Sequence, residues 1–275
     1  MATKKQTKTV GKLTEVKKKE EKKEIKKSIK PVKVTVEALF EAGAHFGHVA
    51  KRWNPKMEKY LYGKRGGTHI FDLEKTVEKL EEAKEALTRL ASEGKRIALV
   101  GTKRQAKAMV IEEAVRAGIP YVSERWLGGT VTNWVQFKSR VDRMKRLEAD
   151  REAGKYAGHT KKERLLIDRE IAKLRRLFGG LAELTAAPEV LVITDAKKER
   201  TAVREATRKG LIVVGIVDSN IDPDLITYPI PMNDDSVSAM GLVVRDLVKA
   251  IEAGMVKRKK GLAIGNKGEK KKNDG

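Results

Sequence analysis

The chain has 275 residues, with 60 Lys and Arg against 38 Asp and Glu, a formal net charge of +22 and no cysteine. The missing thiols exclude disulfide scaffolds, Cys-ligated zinc modules, iron–sulfur proteins and thiol catalysis, and no window approaches the roughly 20 apolar residues needed to span a bilayer. A surplus of this size points to a polyanionic partner, most economically nucleic acid, with an anionic membrane surface as the weaker option.

Residues 1–30 hold twelve Lys and four Glu among few aliphatics. They bury too little apolar surface to offset the entropy of ordering, so a disordered Lys-rich extension is expected, with a weak amphipathic helix near Leu13–Ile29 as the alternative. This segment lacks the apolar stretch of a secretory signal, and its interspersed Glu residues argue against a transit peptide. Val36–Ala42 reads as a short helix. Tyr60–Tyr62 and His69–Phe71 read as short strands flanking the Gly-rich turn Gly63-Lys64-Arg65-Gly66-Gly67. Asp72 is placed to cap a long amphipathic helix with the stripe Leu73, Val77, Leu80, Ala83, Leu87 and Leu90. Ile97–Val100 suits a strand buried on both faces. A helix over Arg104–Ala117 follows, ended by Gly118 ahead of Pro120, then a short strand at Tyr121–Val122. Val190–Thr194, a helix over Lys198–Lys209, Gly210 and Leu211–Val217 repeat the rhythm. A last helix, Val237–Ala253, is expected to stop at Gly254. Residues 256–275, with eight basic residues and two acids, read as a second basic, disordered tail.

Strands alternating with helices predict an α/β domain over 31–130 and 179–255, with a parallel sheet covered by helices on both faces. One insertion, 131–178, breaks the alternation. Trp134, Phe137, Val141 and Met144 recur at spacings of three and four, and Ile167, Ile171, Leu174 and Phe178 do so after the loop 153–159. Thr160 and Glu163 fit a capping box and Gly179-Gly180 a stop. This pattern predicts a protruding antiparallel helical hairpin, a two-helix coiled coil, or else two ordinary surface helices.

Candidate sites are few. His45 and His48 could bring two ligands to one metal, but no nearby carboxylate completes a set, so packing or hydrogen bonding to phosphate is the better reading. No segment resembles a nucleophile elbow. Gly101-Thr-Lys103-Arg104-Gln-Ala-Lys107 opens a helix after a strand and invites phosphate at the helix N-terminus. It lacks both G-x-x-x-x-G-K-[ST] and G-x-G-x-x-G, which argues against a soluble nucleotide; by spacing alone, Lys103, Arg104 and Lys107 fit the phosphates of a large RNA and a solvated basic helix face equally well. Lys51-Arg52-Trp53-Asn-Pro-Lys56 and Glu124-Arg125-Trp126 place cations beside indoles, a mixture that suits RNA, although both rings are better read as packed. Asp218, Asp222, Asp224, Asp234 and Asp235 suit turns and caps better than a magnesium site or a surface for a basic protein partner.

The residues also carry a specific resemblance. Leu39-Phe-Glu-Ala-Gly-Ala-His45-Phe-Gly-His48 with Arg52-Trp-Asn-Pro-Lys56-Met57 is similar to the opening of the ribosomal protein S-two family. The similarity continues through Gly101-Thr-Lys-Arg-Gln105, Arg125-Trp-Leu-Gly-Gly-Thr130, Thr160-Lys-Lys-Glu163, Pro188-Glu-Val-Leu-Val-Ile-Thr-Asp195, Ala202-Val-Arg-Glu-Ala206 and Val217-Asp-Ser-Asn220 to Tyr228-Pro-Ile-Pro231. These blocks span about 36–253. Ile212, Ala196 and Met232 depart from the family's usual residues. The resemblance implies a flavodoxin-like sheet with a projecting hairpin. It also implies a structural, non-catalytic role in the bacterial cytoplasm, with no cofactor, small-molecule substrate or membrane partner. The partners implied are small-subunit ribosomal RNA and neighbouring proteins, including the first small-subunit protein where present. RNA contacts are expected from Lys51, Arg52, Lys56, Lys64, Arg65, Lys103, Arg104, Lys107 and Arg125. Charge adds a direction: residues 31–130 hold 18 bases and 13 acids, residues 179–255 hold 8 and 12, so the N-terminal half is expected to face RNA and the Asp-rich half solvent or protein.

Overall fold

The computed structural model describes residues 34–273, with side chains through Lys260; the expected behaviour of residues 1–30 lies outside the described residues. The helix α1 (Val36–Glu41) is capped by Thr35 and leads into strand β1 (Phe46–Val49). Two 3-10 turns, Ala50–Arg52 and Pro55–Tyr60, precede β2 (Leu61–Arg65) and β3 (Thr68–Phe71). These strands form a small antiparallel sheet in the order β1-β3-β2. Gly66 and Gly67, at φ of 57° and 77°, make the hairpin turn, so Lys64 and Arg65 belong to the strand rather than to the turn expected. β1 had no counterpart in the sequence reading, because His45-Phe-Gly-His48 carries no alternation of apolar residues.

Next come α2 (Leu73–Ser92), β4 (Ile97–Val100), α3 (Arg104–Ala117) and β5 (Tyr121–Val122). Asp72 accepts the N–H groups of Glu74 and Lys75, and Gly118 closes α3 in the left-handed conformation, both as expected. After the helices α4 (Trp134–Glu152) and α5 (Lys161–Phe178), the chain returns as β6 (Val190–Ile193), α6 (Arg200–Lys209), β7 (Ile212–Val217), β8 (Tyr228–Pro231) and α7 (Val237–Asn273). The second sheet is parallel throughout, in the order β5-β4-β6-β7-β8. Counted within that sheet, this is the 2-1-3-4-5 order of flavodoxin-like folds, so the expected fold class holds. Pro229 and Pro231 are tolerated in β8 because it is an edge strand, where a missing N–H breaks no ladder.

Alternate strand residues divide the core. Ile97, Leu99, Val190, Val192, Val214 and Ile216 pack with α2, α3 and α7. Ala98, Val100, Leu191, Ile193, Val213 and Val217 pack with α6, with Met57, Tyr60 and Phe71, and with the root of the α4–α5 pair. Burial on both faces is why these strands read as continuous apolar runs.

One expectation about a helix is corrected. Gly254 does not end α7, which continues to Asn273 through much of the segment expected as a tail. A Cβ at Gly254 would collide with the carbonyl oxygen of Thr88 and sit 2.6 Å from Ala91 Cβ. The glycine is there because α7 crosses α2 closely, not because the helix stops. The α4–α5 pair runs antiparallel, with Phe137 against Phe178 at the root and ion pairs Arg143–Glu170 and Arg151–Asp168 farther out. The Thr160/Glu163 capping box is present. Only Ile171 and Phe178 of α5 are buried, however, so apolar contact is concentrated near the root and a continuous coiled-coil seam is not seen.

Candidate nucleic-acid interface

In open parallel sheets the ligand crevice lies at the carboxyl ends of the strands, where the strand order reverses. Here that point falls between β4 and β6. The segment after β4 is Gly101-Thr102-Lys103, and the one after β6 is Asp195 to Glu199. Lys103, at the N-cap of α3, turns its ammonium inward: Nζ lies 2.7 Å from Asp234 Oδ1, 2.7 Å from Asp235 Oδ1 and 3.5 Å from Asp195 Oδ2, and donates to the Asp234 carbonyl oxygen. Burial opposes its charge, but the bonds to Asp234 and Asp235 outweigh burial and hold its pKa above the ordinary lysine value. Asp234 is pushed up to about 6 by burial and by the charges of Asp195 and Asp218, against the pull of Lys103. Thr102 closes the same space by donating its N–H and hydroxyl to Glu199, whose pKa burial raises. The crevice of this fold is thus filled with the chain's own ions.

The small sheet is tied to the same edge. His48 Nδ1 meets Asp218 Oδ1 at 3.0 Å, the His48 N–H donates to Ser219 Oγ, and the Asn54 N–H donates to the Ser219 carbonyl. The Asp218 bond raises the pKa of His48 despite partial burial. His45 instead stacks on Phe40 and lies tilted against Phe46, so the two imidazoles have separate roles. Among the described residues, no group of three or more His, Asp and Glu is arranged to hold a metal ion. Lys56 bridges Asp222 and Asp224, each at 2.8 Å, and Asp222 also caps the 3-10 turn Pro223–Leu225. The Asp-rich half therefore does not simply face solvent or a partner: much of it neutralises the basic half of the same chain.

These ion pairs divide the nine cations expected to meet RNA. Lys103 is held by three carboxylates, Lys56 by two and Lys107 by Glu124. Lys51, Arg52, Lys64, Arg65, Arg104 and Arg125 are exposed and have no acidic partner among the described residues. Lys51 and Arg52 follow Ala50, whose N–H donates to the Gly67 carbonyl, which places them beside the Lys64–Gly67 hairpin. Arg104 begins α3 one turn before Lys107, and the Lys107–Glu124 pair brings that turn next to Arg125. Both groups lie at the carboxyl end of the parallel sheet. The indoles are packed, as expected: Trp126 is buried, and Trp53 is half-buried against His69, with Lys64 Nζ 5.5 Å from its ring centre.

One residue of this edge escaped the sequence reading. Glu205 is buried beneath the loop that carries Arg125, and accepts hydrogen bonds from Trp126, Gly129, Val131 and Thr132. The available signal was a carboxylate set between the buried positions Ala202, Val203 and Ala206 on one face of a helix.

Comparison with known proteins adds an independent line. The family model described as Ribosomal protein S2 matches residues 39–254. The small ribosomal subunit protein uS2 of Dictyoglomus thermophilum is 46% identical over 227 residues, covering 82% of this chain and 92% of that protein. The uS2 of Chlorobaculum tepidum is 45% identical over 221 residues, 80% and 89% of the two chains. That of Chloroflexus aggregans is 44% identical over 228 residues, 83% and 96%.

Proposed function

Because this chain belongs to the ribosomal protein S2 family, we propose that it is a structural, non-catalytic constituent of the small ribosomal subunit. In this reading it works in the cytoplasm and meets ribosomal RNA through the carboxyl end of its parallel sheet. Of the nine cations expected to meet RNA, six are exposed at that end without an acidic partner among the described residues, while Lys56, Lys103 and Lys107 are neutralised from within; this observation carries the reading. Arg and Lys so placed neutralise phosphates, release counterions and fix orientation without reading bases. At the crevice between β4 and β6, where an α/β enzyme of this topology would bind a nucleotide, Lys103 is already paired and the carboxylates of Asp195, Asp234 and Asp235 would repel phosphates. Neighbouring small-subunit proteins, the first small-subunit protein among them where present, would meet surfaces away from this end.

The test is binding of the full chain to transcribed small-subunit ribosomal RNA over a salt series. Replacing Arg52, Arg65 and Arg104 together by Ala is expected to reduce the slope of log K against log salt by about 2 to 3, at roughly 0.7–0.9 per phosphate contact. The triple variant should also co-sediment poorly with small subunits. An unchanged slope would reject this face as the RNA surface.

A further inference from the structure

The segment Trp126–Thr132 joins the parallel sheet to α4 without regular secondary structure, yet one carboxylate fixes it from below. Glu205 Oε1 accepts the Gly129 N–H at 2.7 Å and the Trp126 indole N–H at 3.2 Å. Its Oε2 accepts the N–H groups of Val131 and Thr132 at 3.1 and 3.2 Å, and the Thr132 hydroxyl at 3.2 Å. Convergent backbone N–H groups of this kind form a concavity for an anion, and here the anion is supplied by α6. Burial pushes the Glu205 carboxyl up, but the three backbone donors and Trp126 outweigh it and hold the pKa below the ordinary value. On the other side of Arg125, Glu124 is held by Lys107. Arg125 is thus the exposed residue between two tethered neighbours.

We propose that Glu205 is a positioning residue for RNA binding, holding the Trp126–Thr132 loop in the one conformation that presents Arg125 to a phosphate. The inference rests on the reading above that this end of the sheet meets RNA. Glu205 touches no RNA itself; it acts by removing the loop's freedom, so that Arg125 loses less entropy on binding.

The experiment measures binding of the full chain to transcribed small-subunit ribosomal RNA across a salt series for Arg125→Ala, Glu205→Gln and the double variant. Glu205→Gln keeps the side-chain volume and one acceptor oxygen but sets an NH2 group against the N–H donors, and near-ultraviolet circular dichroism checks that it is folded. Each single variant is expected to bind about tenfold more weakly and to lower the salt slope by about 0.7–0.9. The double variant is expected to bind no more weakly than either single. A merely structural role would lower the melting temperature of Glu205→Gln while the folded protein kept the wild-type salt slope; that result overturns the proposal, as do additive losses in the double variant. Wild-type binding by Arg125→Ala identifies a different failure, that of this part of the RNA face, whatever Glu205 does.

Discussion

Replacing Lys103 by Met separates an internal ion from a phosphate ligand. The methionine retains the apolar stem and removes the ammonium, leaving Asp195 and Asp234, both buried, and the exposed Asp235 without their cation. Taking one partner out of a buried ion cluster costs about 3–5 kcal/mol. In a domain of this size, that lowers the melting temperature by roughly 10 °C. The loss should shrink as pH falls, because Asp234 already sits at about 6 and protonates more readily without Lys103; the folded variant then binds a proton that the unfolded chain does not, and gains stability toward pH 5. Adding Asp234→Asn should recover about 1–2 kcal/mol at neutral pH by removing one stranded charge. Urea unfolding of the three proteins at pH 5 and pH 7.5, with RNA binding of the folded variant across salt, measures all of this. A deficit under 1 kcal/mol at pH 7.5, or a lower salt slope in folded Lys103→Met, would refute the reasoning and return Lys103 to the RNA face.

Two further outcomes concern the supports of the fold. His48 has its pKa raised by Asp218, so the stability it supplies is complete below its unfolded pKa of about 6.5 and is lost as pH rises through the folded value. Wild-type urea midpoints should therefore fall as pH rises above about 6.5, and His48→Gln should flatten that decline; parallel curves would contradict the bond. Gly254→Ala gains about 1 kcal/mol of helix propensity but sets a methyl against Thr88 and Ala91, an overpacking cost of about 1–3 kcal/mol. Calorimetry should show a lower melting temperature, and a rise would mean that α7 does not cross α2 so closely.

Much of the parallel sheet was legible because burial on both faces leaves unbroken apolar runs such as Ile97–Val100 and Val190–Ile193. The caps Asp72, Gly118 and Thr160/Glu163 were legible for a similar reason: each is fixed by chemistry within four residues. What failed was nonlocal. Gly254 has the sequence signature of a stop, and only the approach of α2, some 160 residues earlier in the chain, gives it another role. β8 was hidden by its two prolines, which its edge position permits. At the candidate site, residue type marked candidate cations but could not tell Arg104 from Lys103, adjacent in sequence. One points outward, and the other closes on carboxylates contributed by residues 195, 234 and 235. Counterions drawn from ninety to a hundred and thirty residues away leave no local trace.

The attachment of the α4–α5 pair has a mechanical consequence. Helix α4 has 19 residues, which gives an arm of about 28 Å, so that a rotation of about 10° at its base would displace its far end by about 5 Å, close to one helical pitch. The base is clamped on one side by the loop that Glu205 gathers, and on the other by Gly180, where a Cβ would strike the Tyr121 carbonyl. Small changes of angle at these two points would therefore be magnified along the length of the pair. A methyl group at Gly180 would meet the Tyr121 carbonyl, so the backbone must shift at the point where α5 rejoins the sheet.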